Sequence, residues 1–214
     1  MQQNKDGSLT YNIKFKAQVY NNTKNPYDTK KLASQIEKGL QSAFNVNYQK
    51  DKDGAAVHVN FSADVTSISD KKDLASDATL FEIDDANSEE FKNDDLEIIT
   101  AGVAISSKKI MLNEISVIDM MNGDDNTPAH EAGHTAGLRH PTRDFQWGFL
   151  KLFKIQGYTY NSPSTNFMQS NSSENSTGAT RQQLYRMFML YSQGKLNQNT
   201  SAIDEEFEKP LPAK

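Results

Sequence analysis

The chain has 214 residues, 36% of them apolar, a formal charge of −5 and no cysteine. That length supports one domain, or one domain in two lobes, with a real core. The acidic balance gives no basic footprint for nucleic acid, no apolar run approaches a membrane span, and the missing thiols exclude a disulfide scaffold.

In chain order, residues 9–19 alternate cleanly, with Leu9, Tyr11, Ile13, Phe15, Ala17 and Val19 on one face, which predicts a half-buried strand. Residues 28–44 carry Leu32, Ile36, Leu40 and Ala43 at helical spacing, with Asp28 or Thr29 as the cap. After a turn at Asp51, Lys52, Asp53 and Gly54, a second alternating strand puts Val57, Val59, Phe61, Ala63 and Val65 on one face. Weaker strand signals cover 79–83, 98–105 and 109–118, and the acidic run 84–95 reads as a solvated loop. Residues 127–138 read as a short helix, capped by Thr127, with Pro128 in the first turn and a turn at Gly123, Asp124, Asp125 and Asn126 before it. A last helix over 180–192 places Leu184, Met187, Phe188 and Tyr191 on one side. The polar, proline-bearing tail is expected to be loosely held.

The chemistry is concentrated in the helix at 127–138 and just beyond it. Three of the four histidines fall in His130-Glu131-Ala132-Gly133-His134-Thr135-Ala136-Gly137-Leu138-Arg139-His140, an H-E-x-x-H-x-x-G-x-x-H pattern. Four residues apart on a helix, His130 and His134 project from one face and can reach one ion. His140 could not join them if the helix continued, because six more residues would carry it about 240° round and about 9 Å along. The chain must fold back, and Gly137 can adopt the left-handed conformation that ends a helix. Three neutral imidazoles leave a zinc ion one open position for water, and Glu131 is placed to act as its general base, so hydrolysis of a peptide bond is expected.

On these residues the chain resembles the metzincin clan of zinc endopeptidases, which share the long histidine motif and a later methionine turn. Asn166-Phe167-Met168-Gln169-Ser170, after a break at Pro163, is similar to that turn, with Met168 as its methionine. Residues 178–194 resemble the clan's C-terminal helix and 28–44 its first helix. Pro141 is shared with the serralysins, but Ser170 stands where they carry a tyrosine, so no subfamily is assigned. The implied fold is α+β: a mixed twisted sheet with two helices in an upper lobe, a small irregular lower lobe with the C-terminal helix, and a zinc cleft between. The corresponding divisions are 1–140, 141–200 and a tail at 201–214. An edge strand at Gly102, Val103, Ala104 and Ile105 is expected to take a protein or peptide substrate as an added antiparallel strand.

His58 lies on the polar face of its strand and reads as exposed rather than ligating. Tyr158, Tyr160 and Tyr185 could each assist an oxyanion, and nothing in the sequence selects among them. The Ser/Asn-rich stretch 170–177 is a candidate specificity wall. The alternative to an active enzyme is a zinc-stabilised binding module or inactive protease relative, against which the intact Glu131 argues. No signal peptide is visible, and the expected setting is a secreted or delivered bacterial protein of toxin-like type, with no nucleic-acid or membrane partner. An inhibitor, propeptide or immunity protein would be the kind of partner that controls it.

Overall fold

The alternating residues of the N-terminal third build the centre of the sheet. In the computed structural model, residues 2–50, 54–93, 98–138, 140, 142–146, 154–158, 166–168 and 177–194 are described. After the short β1 (Gln2–Gln3), the long β2 (Leu9–Asn21) is flanked in parallel by β4 (Val57–Ser67), with Leu9 opposite Val57, and by β5 (Thr79–Asp84), with Ala17 opposite Thr79. Between β2 and β4 come α1 (Thr29–Phe44) and β3 (Asn47–Tyr48). Beyond β5 lie the short pair β6 (Lys92–Asn93) and β7 (Ile98–Ile99), then β8 (Gly102–Ser106) and β9 (Lys109–Asn113). The sheet runs β3-β4-β2-β5-β9-β8, with β1 on β2, and is antiparallel at β3, β8 and β1. This is the mixed α+β architecture expected, with seven strands in the main sheet and four helices among the described residues.

α1 covers the apolar face of β2 and β4. Its side chain cap is Asp28, whose Oδ1 accepts from Lys31 N at 2.9 Å, and its Leu32, Ile36 and Leu40 are at most 2% exposed. Burying each such side chain is worth about 1.5–3 kcal/mol, which is why the period-3.6 pattern decides the packing of this helix. Phe44, at its end, stacks on Phe61 and meets Phe167 edge-on, with ring centroids 5.1 and 5.2 Å away. The remaining helices are α2 (Val117–Asn122), α3 (Thr127–Thr135) and α4 (Arg181–Ser192). α3 packs beside α1 and against β8 and β9. The chain between α3 and α4 contributes a hairpin of β10 (Thr142–Gln146) and β11 (Lys154–Tyr158).

Four expectations are corrected. The strand expected over 109–118 stops at Asn113, whose side chain accepts from Ile115 N at 3.1 Å and turns the chain into a 3₁₀ turn and α2. The later apolar residues there follow helical spacing: Val117, Met120 and Met121 are buried, while Ile115 and Ile118 face solvent. The strand expected over 98–105 is two strands, one paired with β6 and one with β9. Within the acidic run, Phe91 is fully buried, so that segment is anchored rather than wholly solvated. On α4, Leu190 and Gln183 join Leu184 and Met187 in the interior, whereas Tyr191 is 66% exposed. Pro141, Tyr160, Pro163, Gln169, Ser170, the 170–176 stretch, the tail and the side chain of Tyr158 lie outside the described residues. No helix among the described residues is long and apolar enough to cross a membrane.

Candidate metal centre

α3 starts one residue earlier in effect than the sequence suggests. Asn126 occupies the cap position but its side chain does not cap the helix, and Asp125 Oδ1 accepts from Thr127 N at 2.7 Å; Thr127 is the first helical residue, not the cap. The helix ends at Thr135, short of 138, and the exit is built by Gly137 at φ +79°. Gly137 N donates to His134 O and Leu138 N to Gly133 O, each at 2.9 Å. These paired bonds satisfy carbonyls that a helix end would leave bare and turn the chain back on itself. A side chain at Gly137 would also collide with Leu190 of α4, and Arg186 Nε donates to Gly137 O at 2.6 Å. The glycine therefore serves both a conformation and a close approach.

The fold-back brings all three histidines together. His130 Nε2 lies 3.0 Å from His140 Nε2 and 3.1 Å from His134 Nε2, and the third separation is 3.2 Å. The opposite ring nitrogens face backbone carbonyls: His130 Nδ1 donates to Phe167 O at 2.8 Å and His134 Nδ1 to Leu138 O at 2.9 Å. A carbonyl only accepts, so those Nδ1 atoms carry the hydrogens and the Nε2 atoms of His130 and His134 are bare lone pairs. Two bare nitrogens cannot hydrogen-bond to each other. A proton shared within the cluster would relieve them, but protonation is strongly disfavoured. Burial, then the neighbouring His134, pulls His130 down to about 3 despite the Phe167 carbonyl, and burial, then His134, pulls His140 down to about 4. Burial lowers His134 as well, against the opposing Leu138 carbonyl.

A metal ion fits this arrangement. Tetrahedral zinc at about 2.0–2.1 Å from each imidazole places ligand nitrogens about 3.3 Å apart, close to the separations found. His130, His134 and His140 can thus hold one metal ion through Nε2. Their Nδ1 contacts orient two of the rings in the manner that raises ligand basicity.

Glu131 is 7% exposed. Ala104 N–H donates to its Oε2 at 2.8 Å, and Ala104 sits on β8, the edge of the sheet. Burial pushes the carboxyl up to about 7, with the Ala104 amide pulling the other way. The close seat of α3 on β8 explains Gly102. An added Cβ would come within 2.7 Å of Thr127 Cγ2, 3.2 Å of Met111 O and 3.4 Å of Glu131 Cγ. Of the other three β8 residues singled out from sequence, Val103 and Ala104 are half-buried and Ile105 is 37% exposed. β8 pairs only with β9, leaving its outer side without a strand among the described residues.

Met168 is fully buried under α3, and its Sδ occupies the space that a Cβ on Gly133 would need. Gly133 was an unspecified position in the motif, yet it is what lets residues 166–168 reach the helix. Also missed were the Phe167 and Leu138 carbonyls, Asn166, Gln183 and Arg186. Backbone acceptors leave no mark on the sequence, and the contacts that tie Asn166, Gln183 and Arg186 to the rest of the site span 12 to 49 residues. Tyr185 is 58% exposed on α4, and His58 is exposed as expected. No family model matches the chain, and the search of curated proteins found no match.

Proposed function

We propose that this protein is a zinc-dependent endopeptidase of metzincin type, acting outside the cell that makes it. The observation that carries the reading is the convergence of three imidazole Nε2 atoms, two of them bare, with a buried carboxyl from the same helix held to the sheet edge by Ala104 N. An imidazole-only donor set suits zinc, and such a site keeps an open position for chemistry. Bound zinc would supply Lewis acidity, polarising a scissile carbonyl and lowering the pKa of water.

The chain's own groups account for the rest. His130, His134 and His140 would hold the ion, two of them in a tautomer already set by backbone carbonyls. With Oε2 engaged by Ala104, Glu131 would take a proton from the attacking water on its other oxygen and return it to the leaving amine. Burial raises this carboxyl to about 7 in the metal-free chain, and a bound cation would pull it back toward the ionised form that accepts a proton. β8 would align the substrate, since a peptide can extend an antiparallel edge through its own backbone donors and acceptors. A purely structural site gives no reason to bury a carboxylate without a cation beside it, which disfavours the non-catalytic module.

The test is cleavage of a mixed peptide library by the purified chain, with and without a zinc chelator, beside Glu131→Gln. Cleavage lost in both controls is expected. Cleavage that persists in either overturns the mechanism, and stoichiometric zinc with no cleavage favours the zinc-stabilised binding module.

A further inference from the structure

We infer that Gln183, on α4, is a positioning residue for the metal centre, holding His130 in its ligating tautomer through Asn166 and the Phe167 carbonyl. The inference rests on the metal-binding reading of the three histidines. Asn166 and Gln183 are both fully buried, and their amides bond reciprocally. Gln183 Nε2 donates to Asn166 Oδ1 at 2.9 Å and Asn166 Nδ2 donates to Gln183 Oε1 at 3.2 Å. Two backbone amides fix which end is which. Thr180 N donates to Gln183 Oε1 at 2.8 Å, and Met168 N donates to Asn166 Oδ1 at 3.1 Å. Because a backbone N–H only donates, neither amide can flip without losing a bond. Asn166 Nδ2 also donates to Gly178 O at 2.9 Å, and Phe167 N donates to Thr177 O at 2.9 Å.

Residues 166–168 are therefore gripped on both sides by the segment leading into α4. The group they deliver is the Phe167 carbonyl, 2.8 Å from His130 Nδ1. Gln183 also completes the N-terminal cap of α4: its Oε1 accepts from Thr180 N while its backbone N–H donates to Thr180 Oγ1. One residue thus fixes the start of the last helix and the second partner of a metal ligand. The segment is anchored in turn on the first helix, where Ala179 N donates to Ala43 O at 2.7 Å and Gly178 packs so closely that a Cβ would meet Ala43 O.

The experiment uses the full chain and zinc alone. Zinc affinity is measured by competition with a chromophoric chelator for the wild type and for Gln183→Met, a substitution of similar length. The His130 tautomer is read from imidazole ¹⁵N shifts in the metal-free protein. A 10- to 100-fold weaker affinity is expected, as is typical on removing a partner that orients a metal ligand, together with a mixed tautomer at His130. A merely structural role would lower the melting temperature yet leave tautomer and affinity as in the wild type, and that result overturns the proposal. Should Gln183→Met fail to fold, the unaltered chain supplies the answer. Zinc addition should shift the side-chain amide resonances of Gln183 and Asn166, and unmoved resonances overturn the relay. A wild type that takes up no zinc overturns the metal reading and the relay with it, whereas equal binding by wild type and folded Gln183→Met overturns the relay alone.

Discussion

Among the described residues two glutamates are almost wholly withdrawn from water, and they are treated in opposite ways. Glu82, on β5, is 2% exposed and meets Lys71 Nζ at 3.0 Å and Lys109 Nζ at 3.4 Å. Glu131, on α3, is 7% exposed and receives a backbone amide, with no lysine or arginine ion pair among the described residues. Burial of either side chain disfavours its charged form unless a partner offsets it. At Glu82 the charge is offset by two ammonium groups whose side chains remain partly exposed, 47% for Lys71 and 35% for Lys109. At Glu131 it is not offset, and the carboxyl is pushed up to about 7. Burial alone therefore does not mark a working carboxylate. Glu82 has its lysines, whereas Glu131 follows His130 on a helix whose imidazoles, with His140, could hold a metal ion.

The largest effect that would separate the two glutamates is on turnover. Glu131→Gln should lower the cleavage rate by about 10²–10⁴-fold, the usual share of a positioned acid–base group, with zinc content unchanged by metal analysis. Glu82→Gln should leave the rate within about twofold in the same assay, since Glu82 is engaged by Lys71 and Lys109 rather than by the histidine cluster. Equal losses in both variants would dissolve the distinction.

Next in size is the stability that the lysines confer. Removing both, as in Lys71→Ala with Lys109→Ala, leaves a buried charge uncompensated and should cost about 3–5 kcal/mol in urea unfolding at pH 7. Glu82→Leu removes the charge instead and should cost far less, because Lys71 and Lys109 can turn to water. The reverse ranking would show that Glu82 is not held by its ion pairs.

The third effect is smaller and depends on pH. The folded-state pKa of Glu131 lies above its ordinary 4.5, at about 7. A raised acid stabilises the fold fully below its unfolded value, and that contribution fades as pH rises through the folded value. Metal-free wild type should accordingly lose stability on this account between about pH 4.5 and 7, by up to ~3 kcal/mol. Glutamine does not titrate, so the melting temperature of metal-free Glu131→Gln should overtake the wild type progressively across that window. Parallel melting curves from pH 5 to 8 would contradict the burial argument.

The metal-ligand triad and the sheet centre were legible in the sequence for the same reason: their determinants are local and periodic. A four-residue spacing, close to one helical turn, places His130 and His134, a glycine ends the helix, and alternation orients β2 and β4. What escaped is non-local. Nothing near Gly133 announces Met168, and nothing near Asn166 announces Gln183. The run at 109–118 misled because Ile110 and Leu112 suit a strand and Ile115 and Val117 read as its continuation, but Asn113 closes a turn, after which Val117, Met120 and Met121 bury on helical spacing. Phe91 shows the converse, a single apolar residue anchoring a stretch whose charge suggested solvent.

The distance along the chain between His130 and the carbonyl that orients it has a consequence for maturation. The two are 37 residues apart, whereas the histidines span a single turn and its exit. A growing or refolding chain can present the ligand pair of α3 long before Phe167 arrives, and closing so long a loop is slow compared with forming a turn. Metal capture should therefore have two kinetic stages, a fast, loose one and a slow one that locks the ion in place. Stopped-flow release of zinc to a chelator during refolding would reveal them as an exchangeable population that decays with the same rate as the formation of tertiary structure; a single stage would mean that the ion waits for the finished fold.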